Sequence, residues 1–328
     1  MNELSNFPSP ADYKDRRAGL IAFGILEILL GLLCVLILVG MSVVMLLAPQ
    51  FSKELTSQIL GIVLAFYGLL ALALIWLGIG SILCRRWARV LILIGAWSVL
   101  MLGIVVLIFY GIFGWKLYAA ITTGANATIL LIFSMAIQAI FLVVLPGLMV
   151  LFYGSRNVIA TCVARDPHAR WTDRCPMPVL ATSLWLALGS LSVLFLPLCY
   201  RSVVAWFGVL LTGTPATILL MIFMALGLYL AWGTYRLQMA AWWISLVSFT
   251  ILTVSAIVTF LKVDFLDVYR ELGYPPDQIE LMRKYSFLSG SVMVWWIVIC
   301  YILSLVFLVW IRKYFRRSRT AGDAGVLA

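Results

Sequence analysis

Eight long apolar blocks, separated by short polar stretches, fill most of the chain and hold almost no ionisable side chains. A helix needs about 20 mostly apolar residues to cross roughly 30 Å of hydrocarbon. Blocks near 18–48, 56–83, 88–113, 127–153, 178–200, 214–235, 239–262 and 287–311 each meet that length. Inside hydrocarbon, every backbone polar group must be bonded within the protein, which leaves helices or a closed barrel. Apolar runs of 22 or more residues are far longer than the roughly 10 alternating residues of a barrel strand. The sequence therefore predicts an all-α transmembrane helix bundle with eight spans.

A soluble chain of 328 residues would suggest two domains, but 64% hydrophobic and 11% charged content exclude that reading. The net charge of +10 follows topology rather than nucleic-acid recognition. With eight spans, sixteen of the 23 Lys and Arg residues fall in the N-terminal tail, the 2–3 turn, the 4–5 loop, the 6–7 turn and the C-terminal tail. By the positive-inside rule those segments and both termini are cytoplasmic, which predicts a multi-pass inner-membrane protein. A basic inner face is also expected to hold anionic headgroups. The first apolar block is too long for the core of a cleaved signal peptide, so it reads as a retained anchor. Cys34, Cys84, Cys199 and Cys300 lie in or beside spans, and Cys162 and Cys175 on the reducing side, so no disulfide framework is expected.

The loop pattern recurs between halves. Gly80–Arg89 (GSILCRRWAR) joins spans 2 and 3, and Gly233–Trp243 (GTYRLQMAAWW) joins spans 6 and 7. Span 4 exits through Phe152–Arg156 and span 8 through Tyr314–Arg317. Two parallel four-helix repeats follow: a tail at 1–17, a first repeat at 18–153, a loop at 154–177, a second repeat at 178–311 and a basic tail at 312–328. Gly61, Ala65 and Gly68 share one face of span 2, which predicts close helix approach there. Trp115, Tyr118, Trp87, Trp242 and Trp243 read as interfacial belts.

Polar residues within the spans are the candidate intramembrane site. Glu27 shares a face of span 1 with Gly24 and Gly31 and is an unambiguous intramembrane acid. Such a carboxylate points to a proton or cation site, or else to an ion pair with Arg85, Arg86 or Arg89. Gln138, with Pro146 and Gly147, makes span 4 the expected irregular helix, whose freed carbonyl can line a cavity. Arg201 precedes Ser202–Leu211, ten mainly apolar residues too short to span, expected to be interfacial or re-entrant.

The 154–177 loop holds the lone histidine, His168, spaced C-x5-H-x6-C between Cys162 and Cys175. Zinc sites use paired ligands two to four residues apart, so no metal is expected. Its string Arg170–Pro176, RWTDRCP, resembles a loop in a family of bacterial polytopic inner-membrane proteins, a resemblance that implies a membrane layout and no activity.

The outer segment 263–286 is amphipathic. Phe265, Leu266, Val268, Tyr269 and Leu272 take the apolar face, and Asp264, Asp267 and Glu271 the polar one. Gly273–Pro276 then breaks the helix before a second short one. A helix–turn–helix lying on the outer surface is expected, and its 264–285 stretch is the best docking surface for a protein partner. Without HExxH, a P-loop or a Ser–His pair, the sequence predicts neither an enzyme nor a cofactor. The leading expectation is a non-enzymatic accessory, scaffold or sensor protein. The alternative is a small-solute or ion permease with a pathway between the two four-helix halves.

Overall fold

The structure, a computed structural model, describes residues 13–47, 57–121, 125–195, 202–272, 274, 276, 279–280, 283 and 290–326. The chain divides into two compact units, Met1–Glu54 with Val63–Arg174, and Leu55–Ile62 with Cys175–Ala328. The described chain is almost entirely helical. In order it runs α1 (Arg17–Leu47), α2 (Ser57–Ile82), α3 (Arg86–Ile121), α4 (Ala125–Ala139), a π-helical segment Ile140–Val144, α5 (Leu145–Tyr153) and α6 (Arg156–Arg165). After a single 3-10 turn at Trp171–Asp173 come α7 (Met177–Ser192), strands β1 (Val203–Trp206) and β2 (Val209–Thr212), α8 (Thr214–Tyr235), α9 (Met239–Lys262), α10 (Phe265–Leu272) and α11 (Gly290–Val326).

Among the described residues, seven helices are long and apolar enough to cross a membrane. Of the expected fifth span the structure describes α7, 16 residues that rise about 24 Å, and a 3-10 turn at Val193–Phe195; the remainder, 196–200, lies outside the described residues.

The segment after Arg201, expected to be interfacial or re-entrant, departs from the all-α expectation in its secondary structure: it folds into an antiparallel hairpin, with Val203 opposite Thr212 and Trp206 opposite Val209. Phe207 and Gly208 both adopt positive φ, 49° and 83°, as a two-residue turn of the I′ type demands. Their N–H groups donate to Ser255 Oγ at 3.0 Å and Thr259 Oγ1 at 3.1 Å. Those two buried hydroxyls lie four residues apart on one face of α9. A Cβ on Gly208 would come within 2.7 Å of the exposed Lys262 side chain, which would have to shift, and the φ of 83° favours glycine there.

In unit 1 the close helix approach is made by Gly24 and Gly78. A Cβ on Gly24 would come within 2.7 Å of the Gly78 carbonyl, and one on Gly31 within 2.8 Å of Ile75 and 3.1 Å of the Ala71 carbonyl. Gly68 meets only Leu38, at 3.9 Å, and a Cβ on Gly61 would have no described neighbour within 4 Å. Span 4 is irregular as expected. Pro146 has no N–H to offer the Leu142 carbonyl, and a π turn precedes it, with the Leu145 N–H donating to the Ile140 carbonyl. Gly103 of α3 packs so tightly on that region that a Cβ would overlap the Leu142 carbonyl.

Unit 2 is centred on Val179, Trp242, Ile311 and Phe315. Trp242 is therefore a core residue, 3% exposed, and not part of an interfacial belt. Its Nε1–H donates to the Leu308 carbonyl at 2.9 Å, and the Arg312 guanidinium covers its ring at 4.8 Å. Trp243 stays half-exposed. The Ser183 hydroxyl ties α7 to α8 through the Ala231 carbonyl at 2.7 Å.

The two basic turns, one in each unit, have the same internal construction. Cys84 and Leu237 both sit in the left-handed region, at φ 53° and 57°. The Arg85 and Gln238 N–H groups reach the Gly80 and Gly233 carbonyls, and the Cys84 and Leu237 N–H groups reach those of Ser81 and Thr234, all at 2.9 Å. This is the double hydrogen bond that closes a helix around a left-handed residue, here without glycine. Gly80 packs on Ala88 and Gly233 on Ala241, so close that a Cβ would come within 2.6 Å.

Of the amphipathic segment expected at 263–286, α10 is present. Asp264 caps it through the Leu266 N–H at 3.1 Å, and Tyr269 and Tyr274 pack edge to face at 5.0 Å. Most of the expected second helix lies outside the described residues, as do Arg201 and Gly124.

Candidate functional site

Glu27 lies on the Gly24–Gly31 face of α1, pressed against α2 where Gly78 leaves no side chain between the backbones. It is 2% exposed. Ser81, in the last turn of α2, and Tyr153, the final residue of α5, complete a buried polar cluster. The Ser81 hydroxyl donates to the Leu20 carbonyl at 2.9 Å, Ser81 Oγ and Tyr153 Oη are 2.7 Å apart, and the Tyr153 hydroxyl donates to Glu27 Oε1 at 3.3 Å. Glu27 Oε2 is buried and has no hydrogen-bond partner among the described residues. Two hydroxyl protons thus face three hydrogen bonds and a fourth, unpartnered oxygen. The cluster is short of donors. Phe23 stacks on Phe152 at 4.7 Å and walls it with carbon.

None of the three arginines expected to pair with Glu27 does so. Arg89 instead donates to the Tyr153 carbonyl at 3.1 Å, filling an acceptor that the end of α5 leaves open. Arg85 and Arg86 turn to the 154–177 loop, which contains α6. Asp166, at its end, is 1% exposed. Its carboxylate takes Arg170 Nη2–H at 2.9 Å and Nε–H at 3.2 Å, the Arg86 backbone N–H at 3.4 Å, and the Arg85 guanidinium at 3.7 Å. Burial alone would push this carboxyl up; the Arg170 hydrogen bonds, the Arg86 N–H and the Arg85 charge outweigh it and hold the carboxyl below its ordinary value. Asp173 binds Arg86 at 3.3 Å and caps the Arg170 N–H at 2.9 Å. The RWTDRCP string is therefore a clamp on the N-terminus of α3. Asp15 joins the same end through Arg165 at 3.2 Å.

Gln138 ends one residue short of the π segment. Its Oε1 is buried without a hydrogen bond among the described residues, and no hydrogen bond connects it to Glu27. Arg201 lies outside the described residues, so the three candidate positions are not brought together. His168 is exposed while Cys162 and Cys175 are buried. Among the described residues, no three His, Cys, Asp or Glu side chains converge as metal ligands.

Sequence reasoning missed Tyr153, Ser81 and Asp166. The first two look like ordinary span-end residues until the helices cross. Asp166 carried a signal: an acid four residues before Arg170, the spacing of a helical ion pair.

Comparison with known proteins gave no matching family model, no matching curated protein and no matching solved structure. The seven apolar helices decide the class. This is a membrane protein. Their surfaces are rich in exposed Leu, Ile, Val, Phe and Trp, as helices in contact with a bilayer require.

Proposed function

We propose a non-enzymatic, multi-pass protein of the inner membrane that works by interaction, as an accessory, scaffold or sensor protein. In this reading both termini and the arginine-bearing end of unit 1 face the cytoplasm and anionic headgroups, and the 264–285 segment faces outward toward a protein partner. The observation that carries it is the Asp166 clamp. With Asp173 it gathers Arg85, Arg86 and Arg170 into one basic surface where spans α1, α2 and α3 begin or end. The matched turns at Cys84 and Leu237 support two parallel four-helix repeats.

A permease for a small solute or ion is the second reading. It is favoured by the donor shortage around Glu27, which an incoming proton or cation would relieve.

Thermal unfolding of the detergent-purified protein separates the two. Wild type and Glu27→Gln are scanned from about pH 5 to 8 with ions, metabolites and lipids, because anything that binds the folded state raises Tm by mass action. A saturable solute-induced shift that Glu27→Gln abolishes selects the permease. Stabilisation by anionic lipid alone, unchanged in Glu27→Gln, selects the interaction reading. Orientation is tested by labelling intact cells. A cysteine at Tyr274 reacts from outside and one at exposed His168 does not; the reverse pattern inverts the map. Native Cys175 is a poor inner reporter, because it is buried.

A further inference from the structure

Arg17, Arg85 and Arg165 line one open pocket of about 400 Å3 in unit 1, with Ile82, Leu83 and Cys84 as its remaining wall. Arg17 is the first residue of α1, Ile82 the last of α2, and Leu83–Arg85 the turn into α3. The pocket therefore sits where three apolar segments stop, with Leu83 left exposed beside the charges.

The positive charge there is only partly neutralised. Arg165 pairs with Asp15 at 3.2 Å, but both are well exposed, so the pair is weak and open to exchange. Arg85 reaches Asp166 at only 3.7 Å, and that carboxylate already takes two N–H groups from Arg170. Arg17 has no ion pair within 4 Å among the described residues; its backbone N–H binds Asp15 at 2.9 Å, and its charge acts on that carboxylate only from further away. Three guanidinium forks around one opening match the oxygens of a phosphate, which they bind two bonds at a time. The carbon wall of Ile82 and Leu83 has no use to a free ion, and it continues the apolar surface on which an acyl chain would lie.

Resting on the headgroup reading above, we propose that Arg17, Arg85 and Arg165 form a discrete site for the phosphate of an anionic phospholipid, with its acyl chains along Leu83.

The test uses the full chain purified in neutral detergent. Dioctanoyl-phosphatidylglycerol, dioctanoyl-phosphatidylcholine and inorganic phosphate are each titrated against Tm. The expected result is a saturable rise with phosphatidylglycerol, weaker by about tenfold in apparent affinity in Arg17→Gln and in Arg165→Gln. Arg270→Gln, which removes a charge paired with Asp267 on α10, leaves it unchanged. Arg17 has no ion pair to lose, so that variant carries the test even if Arg165→Gln fails to fold. A phosphatidylglycerol shift that survives both pocket variants overturns the pocket and leaves the headgroup reading standing. A wild type that responds equally to phosphatidylglycerol and phosphatidylcholine overturns both. Inorganic phosphate matching the lipid at equal concentration, with the variants blocking it, overturns the lipid in favour of a free-phosphate site.

Discussion

Tyr153→Phe isolates the hydroxyl on which the buried cluster depends. The substitution keeps the ring against Phe23 and Phe152 and removes one oxygen, 2.7 Å from Ser81 Oγ and 3.3 Å from Glu27 Oε1. Ser81 keeps its acceptor, the Leu20 carbonyl, so no donor is orphaned. Glu27 loses its described partner and is left with two unsatisfied buried oxygens. Interhelical hydrogen bonds in membranes contribute about 0.6 kcal/mol on average and up to about 1.7, and an orphaned buried acceptor costs about 1–3 kcal/mol. A loss of about 2 kcal/mol follows, equivalent to a fall in Tm of about 4–8 °C for a unit of this size. The assay is built in: Cys84 and Cys162 are buried, so their reaction with a thiol-reactive fluorophore reports unfolding in a Cys199→Ser, Cys300→Ser background. In a Glu27→Leu background the acceptor is gone and Tyr153→Phe should cost well under half as much. A wild-type-like Tm, or the same cost in both backgrounds, would refute the link between Tyr153 and Glu27.

Asp166→Asn should destabilise unit 1 at neutral pH. Because the folded-state carboxyl is held below its ordinary value, its stabilisation is present above about pH 4 and lost as pH falls further; acid unfolding curves of the wild type should steepen there, and those of the variant should not. Gly103→Val must displace the Leu142 carbonyl and should cost about 1–3 kcal/mol, read as a lowered Tm, whereas Gly147→Ala, which has open space, should be neutral. Burial pushes the Cys162 thiol up to about 12 and that of Cys175 up to about 11, so maleimide at pH 8 should reach these two only on unfolding.

Much of the helical layout was legible because length and apolarity are local properties. The face of Glu27, Gly24 and Gly31 could be read from helical spacing, and the irregularity of span 4 from Pro146. The site was less legible. Tyr153 is 126 residues from Glu27 in sequence, and nothing in either neighbourhood announces the other. The positive charges of Arg85, Arg86 and Arg89 were visible, but the destinations of the first two depended on where α6 placed Asp166, and that of Arg89 on where α5 ends. The hairpin was missed because Phe207-Gly208 is an unusual I′ turn, held by hydroxyls of α9 that the local sequence does not contain.

The π turn at Ile140–Val144 reaches further than its five residues. Each such turn accommodates one more residue than an α-helix would, so everything after it is rotated by about 100° relative to an uninterrupted helix. Tyr153 lies on the far side of that phase shift. Removing one residue from the 140–144 stretch would leave the composition and length of the span almost untouched and swing the hydroxyl off Glu27. The carboxylate's hydrogen bond is thus aimed from a distance, by Pro146 and by the bare backbone of Gly103 that makes room for the turn.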